Sequence, residues 1–285
     1  MKKLLTLLLT LILSLTAVVG LTACNGDGDG EQPANKPMIV AGVDLIQEQY
    51  GIAAKKGNDA LISKVNDALI ALAGDEMNAI ANTYGLTSEI AVTSETVNPK
   101  ADATDASWDN IVTKGKVIIG YTVFAPIAYD VVNDVPTKGY DIELAKAVFA
   151  ELNGDIEVEF LEINWGEKEA MLEAGSIDLV WNGLTITEQR SAEMCISIPY
   201  LNNKQVAVIM SKNADKFTTI ESMSNAITGA EDGSAGEEQI ALKEIGNEYI
   251  KCESQLDAFN KLKTGTLEVI VIDSVMANYY ISLEN

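Results

Sequence analysis

Residues 177–190 read Ile-Asp-Leu-Val-Trp-Asn-Gly-Leu-Thr-Ile-Thr-Glu-Gln-Arg. An apolar strand over 177–181 passes through one glycine and two threonines into a helix expected from Glu188 onward. Gly183 lets backbone approach a ligand closely, and Thr185 and Thr187 set hydroxyls beside the unpaired N–H groups of a helix start. Arg190 adds a planar fork of donors suited to a carboxylate. The turn is built to receive a small anion. The competing reading is a Thr-capped helix whose arginine pairs with a surface Asp or Glu.

From Trp108 onward strand and helix alternate, which predicts α/β layers, and no internal repeat is evident. Strands are expected at 116–121, 157–161, 205–210, 227–230 and 267–272. Helices are expected at 140–152, 168–173, 237–245, 255–263 and 274–281.

The N-terminus reads as a secretion signal over residues 1–23. Lys2 and Lys3 precede an apolar run, and Leu21-Thr22-Ala23-Cys24 resembles the lipobox of bacterial lipoproteins, which implies lipidation of Cys24. Residues 24–37 read as a flexible polar tether. The expected location is therefore the outer face of the cell membrane, held by a lipid. With Cys24 so used, Cys195 and Cys252 remain as a permitted disulfide or as two separate buried thiols.

A net charge of −22 disfavours nucleic acid as a partner, since binding a polyphosphate requires basic residues. The chain contains no histidine, which removes His-based triads and His metal sites. It has no phosphate-binding Gly-x-x-x-x-Gly-Lys-[Ser/Thr] loop and no Cys-x-x-Cys pair. Neither catalysis, a metal nor a cofactor is expected.

Three motifs then point one way. Gly139-Tyr140-Asp141-Ile142-Glu143-Leu144-Ala145, residues 183–190 followed by Pro199-Tyr200, and Leu262-Lys263-Thr264-Gly265 before Val271-Ile272-Asp273-Ser274 occur in that order. Together they resemble bacterial extracellular solute-binding protein family 3, the amino-acid-binding receptors of ABC importers. Phe149 departs from that family's helix signature, where a small residue or valine is usual.

The resemblance implies a two-lobed, periplasmic-binding-protein-like (type II) α/β fold with two hinge crossovers. In the family, the helix matching 274–281 is followed by a second crossover strand and closing helices. Here residues 38–86 resemble that missing piece, with Tyr50-Gly51-Ile52 as crossover and Leu61, Val65, Leu69 and Leu72 as a helical stripe. The chain thus reads as circularly permuted, with 93–106 as the joining linker. Fourteen extended residues span roughly 46–50 Å, enough to join termini on one lobe. An unrelated N-terminal helix and a swapped dimer are the alternatives. The crossovers would be 201–206 and 45–53. The larger lobe would comprise 50–201, including helices 58–86 and the linker, and the smaller 202–285 plus 38–49.

By the same resemblance, Arg190 and Thr185 would hold the ligand's α-carboxylate, together with the N–H groups of Ser234 and Ala235. Asp273 and the Gly183 carbonyl would accept from its α-ammonium, although Asp273 could also cap the helix that follows. Phe124 and Trp165 would form aromatic walls or be plain core residues, and Trp181 carries little weight. Tyr121 and Glu231 would touch the ligand side chain, with Glu231 favouring a polar, amide-bearing or cationic one. Implied partners are a free amino acid, ABC permease subunits and the membrane. The same fold resembles amino-acid sensor domains and cyclohexadienyl dehydratases, for which Glu231 is the loose candidate acid. A non-binding, decayed relative is the remaining reading.

Overall fold

Strand-forming and helix-forming runs meet in a computed structural model that describes residues 37–153 and 155–284. The secretion signal, Cys24 and most of the tether lie outside the described residues. In chain order the elements are β1 (Met38–Val40), β2 (Gln47–Lys55), α1 (Asp59–Leu72), α2 (Asp75–Thr83), α3 (Ser107–Lys114), β3 (Lys116–Tyr121), β4 (Tyr129–Val132) and β5 (Val135–Lys138). Then come α4 (Tyr140–Asn153), β6 (Glu157–Glu162), α5 (Lys168–Ala174), β7 (Leu179–Thr185), α6 (Glu188–Glu193), β8 (Met194–Ile196) and β9 (Leu201–Met210). The last are β10 (Ile227–Glu231), α7 (Ala235–Lys243), β11 (Glu248–Cys252), α8 (Gln255–Thr264), β12 (Val269–Asp273) and α9 (Ser274–Leu283).

The main sheet runs β11-β10-β12-β9-β2-β7-β3-β6, with helices on its faces. β2 and β9 lie side by side at its centre and pass between the two lobes. β2 first pairs antiparallel with β9, Gln47 opposite Lys204 and Tyr50 opposite Leu201. It then pairs with β7, Tyr50 opposite Thr185 and Ala54 opposite Leu179. β9 turns its second half to β12, where Val208 faces Ile270. β7 and β12 are buried along their whole length, and their mostly apolar sequences suit strands covered on both faces.

Residues 38–86 belong to this architecture within the same chain. α1 buries Leu61, Ile62, Val65, Leu69 and Leu72 in the same core cluster as Tyr140, Leu144 and Val148 of α4. The linker is stitched on by side chains. The Nδ2 of Asn98 donates to the Ser63 carbonyl at 3.0 Å and to Asp67 at 2.8 Å. Asp105 accepts from the Ala60 N–H at 2.7 Å, and Ser107 accepts from the Leu61 N–H at 2.9 Å. These two residues satisfy first-turn donors that α1's own N-cap, Asn58, leaves without a side-chain partner.

Several expectations shift. The strand expected at 177–181 continues to Thr185, because β2 supplies partners for that extra length. α7 begins two residues before the expected Glu237, because Ser234 provides its cap. The short hairpin β4–β5 and the half-exposed strand β11 have no apolar run to announce them. The hairpin closes on Asn133 and Asp134, both at positive φ, the pairing a two-residue turn demands.

Candidate functional site

At the β7–α6 junction Thr187 caps the helix, its hydroxyl accepting from the Arg190 N–H at 3.1 Å. Arg190 is buried at 5% exposure. Its guanidinium donates to the Thr185 carbonyl at 3.0 Å and, across the cleft, to the Gly233 carbonyl and Glu238, each at 3.2 Å. Gly183 stands at φ +66°, and a Cβ there would lie 2.7 Å from Phe124 Cε1 and 3.2 Å from Tyr50 Cε2. Both the backbone and the space therefore demand glycine. Asp141, from the start of α4, accepts from the Gly183 N–H at 3.0 Å and from the Tyr200 hydroxyl at 2.7 Å. Burial pushes Asp141 up to about 7.

The facing wall is the β10–α7 turn. Ser234 Oγ accepts from the Glu237 N–H at 3.2 Å, and Glu237 reaches back to accept from the Gly233 N–H, one residue before the cap, at 2.7 Å. The Ser234 N–H, expected to face a ligand carboxylate, donates to the Glu231 carbonyl at 3.1 Å. Gly236 allows α7 to lie against β12, since a Cβ there would sit 2.3 Å from the Val271 carbonyl oxygen. Lys168 crosses to this wall and donates to the carbonyls of Trp165 at 3.1 Å and Gly233 at 3.2 Å. Its ammonium also lies 4.9 Å from the Trp165 ring. Burial, and then the nearby Arg190 charge, lower its pKa.

The third wall is the hinge. Asp273 ends β12, but its carboxylate does not cap α9. Instead the Asn203 side chain accepts from Ser274 Oγ at 2.9 Å, which leaves Asp273 to collect donors. These come from the Tyr50 hydroxyl at 2.6 Å, Gln205 at 2.9 Å, and the side-chain amides of Asn203 and Gln255. Burial raises the pKa of Asp273, and the hydrogen bonds oppose that rise. Glu231, 3% exposed, keeps one carboxyl oxygen without a hydrogen-bond partner. Burial, then the Asp273 charge, push it up to about 8.

These walls close on a cavity of about 10 Å³, the room of roughly one water. Phe124, Trp165, Gly183, Thr185 and Arg190 line one side, and Glu231, Ser234, Ala235 and Asp273 the other. Tyr121 does not line it. Its ring packs edge-on against Phe160, with centroids 6.4 Å apart, in a separate core cluster with Ala128 and Ile142. Trp181 is likewise fully buried, against Tyr200. Asn182 and Gln255 line the cavity without having been anticipated. Lys168 was also missed, although a signal existed: it opens α5, where the helix dipole disfavours a cation. Among the described residues no group of ligating side chains could hold a metal, and Cys195 and Cys252 are free and buried.

Residues 117–273, more than half of the chain, match the family model for bacterial extracellular solute-binding proteins, family 3. The chain is 26% identical over 204 residues to a glutamine-binding protein of Geobacillus stearothermophilus, covering 67% of this chain and 75% of that one. It also resembles the crystal structure of an ABC uptake transporter substrate-binding protein from Streptococcus pneumoniae with bound histidine. That match has 31% identity and a TM-score of 0.57 over 62% of this chain and 73% of the other. An ancestral amino acid-binding protein, a precursor of cyclohexadienyl dehydratase, matches at 28% identity and a TM-score of 0.57, covering 61% and 77%.

Proposed function

Because this chain belongs to the bacterial extracellular solute-binding proteins, family 3, we propose that it captures a free amino acid in the cleft and delivers it to the permease subunits of an ABC importer. One observation carries this reading: Arg190 and Asp273, buried groups of opposite charge, line the same cavity. A zwitterion brings a charge for each, and pairing at both ends offsets a desolvation that would otherwise cost several kcal/mol. Arg190 binds the α-carboxylate beside Thr185, and Asp273 with the Gly183 carbonyl accepts from the α-ammonium. Phe124 and Trp165 cover the ligand's apolar surface. The unpartnered oxygen of Glu231 and the amide of Gln255 select a side chain that can donate, either an amide or a cation. The relatives named for glutamine and crystallised with histidine fit that class.

The cavity is too small for any amino acid as it stands, so entry requires the lobes to part about β2 and β9. A thermal-shift screen of the mature protein against the twenty amino acids and cystine tests the reading. Binding stabilises by mass action, and an affinity of micromolar or tighter, about −8 kcal/mol, is expected. Arg190→Ala and Asp273→Ala should each abolish the shift and keep the fold by circular dichroism. An unchanged affinity in either variant refutes this site.

The anchor belongs to the same reading. Cys24 carries lipid and holds the protein on the outer face of the membrane, which Cys24→Ala should convert into release to the medium. No helix among the described residues is long and apolar enough to cross a membrane. The placement of β2 between β7 and β9 also supports a circularly permuted order of the family's pieces. A dehydratase reading draws on one specific feature, the proton that Glu231 keeps near neutral pH. Assay of arogenate and prephenate dehydration tests it, and turnover lost in Glu231→Gln would favour it over capture alone.

A further inference from the structure

Behind Asp273, on crossover strand β2, lies a second buried carboxyl that the binding reading leaves without a task. Glu48 is 8% exposed. Its Oε1 accepts from Asn203 Nδ2 at 2.6 Å and Gln205 Nε2 at 2.8 Å, and those same two amides donate to Asp273 Oδ1. Sharing two donor nitrogens holds the two carboxyls together in the hinge. The other oxygen, Oε2, is buried with no partner. No salt bridge among the described residues reaches Glu48 or Asp273. The titratable groups facing the pair are the Tyr50 hydroxyl on β2 and Glu231 on β10, neither of them positive, while Arg190 across the cavity spends its donors on the Thr185 and Gly233 carbonyls and Glu238. Lys168 faces Glu231, but its ammonium is engaged by Trp165, Gly233 and Glu169.

Two carboxylates this close and this dry cannot both be ionised without a cation between them. We propose that Glu48 is a positioning residue that holds a proton against Asp273 and gives it up when a ligand ammonium reaches Asp273, so that capture of an amino acid releases a proton. This rests on the amino-acid-binding reading above. The balance is simple: the protonated pair plus a zwitterion gives the bound zwitterion, two carboxylates and one proton in water. Burial and the Asp273 charge both raise the pKa of Glu48, which keeps that proton in place at neutral pH. Release ties affinity to pH, with binding tightening up to about tenfold per pH unit.

The test is titration calorimetry of the mature protein at pH 7 in two buffers of different ionisation enthalpy, repeated at pH 6 and 8. L-glutamine and L-arginine are the first probes, followed by the remaining common amino acids. Wild-type protein should release close to one proton per ligand. Glu48→Gln should still bind, release no proton at this site and lose the pH dependence. A ligand that binds wild type without releasing a proton overturns this inference alone. Release retained in Glu48→Gln overturns it too. Failure of every amino acid to bind overturns the capture reading, and this inference with it.

Discussion

Gly183→Ala separates two costs that the β7 turn combines. At φ +66° an alanine sits in the left-handed region, at a cost of about 1–2 kcal/mol. The new methyl would also stand 2.7 Å from Phe124 Cε1 and 3.2 Å from Tyr50 Cε2. Overpacking of that kind in a filled core costs roughly another 1–3 kcal/mol. The sum, roughly 2–5 kcal/mol, is a large part of a typical domain's stability. Gly115 is a built-in control, because its φ is +70° and a Cβ there meets nothing within 4 Å. Gly115→Ala should therefore show the backbone cost alone. Urea denaturation of both variants gives the difference directly, and adding Phe124→Ala to Gly183→Ala should recover part of it. Because Gly183 lines the cavity, its variant should also lose ligand affinity. Equal destabilisation by the two glycine variants would refute the crowding argument.

Three further outcomes are expected. Glu231, raised from its ordinary 4.5 to about 8, binds more protons folded than unfolded, so its contribution to stability falls as pH rises through that window. Denaturation at pH 5 and pH 8 should show Glu231→Gln flattening the fall by up to about 1.4 kcal/mol per pH unit. Asp105→Ala removes the linker's bond to the Ala60 N–H and should cost about 1 kcal/mol, as a lost N-cap does, with binding unchanged. A rearranged chain in which residues 38–86 follow residue 284, with 93–106 removed, should keep fold and ligand, as seen by circular dichroism and calorimetry. Failure of that chain to fold would argue against permutation.

The parts legible in the sequence were those whose chemistry is local. Thr187 and Arg190 sit three residues apart, and the cap that aims the arginine is written in that spacing. The buried runs of β7 and β12 announce themselves as strands. The hinge network was not legible, because its members meet only after folding: Asn203 reaches Glu48 across 155 positions and Asp273 across 70. No periodicity marks an amide that will bridge two carboxyls. Tyr121 failed differently. An aromatic at a strand end reads the same whether it faces a cleft or a core, and here Phe160 on the neighbouring strand takes its ring. β11 escaped notice because a half-exposed strand can be polar along most of its length.

Arg190 shows how the closed cleft can exchange partners instead of simply gaining one. Its Nη2 now serves the Gly233 carbonyl and Glu238, so under the proposed capture reading a ligand carboxylate would displace both. Glu238 is 53% exposed and remains hydrated when released, and an ion pair of that kind contributes about 0–1 kcal/mol. The Gly233 carbonyl is not stranded, because Lys168 donates to it at 3.2 Å from the same side of the cleft as Arg190. In that reading Lys168 would keep the facing turn attached while Arg190 is handed to the ligand. Lys168→Met should therefore weaken binding even though the ligand's own charges are paired elsewhere. The loss should appear in the affinity and in reduced ligand-induced closure by solution scattering, with Arg190 untouched. Unaltered affinity in that variant would mean that the turn is held by the Ser234 and Glu237 bonds at the start of α7 alone.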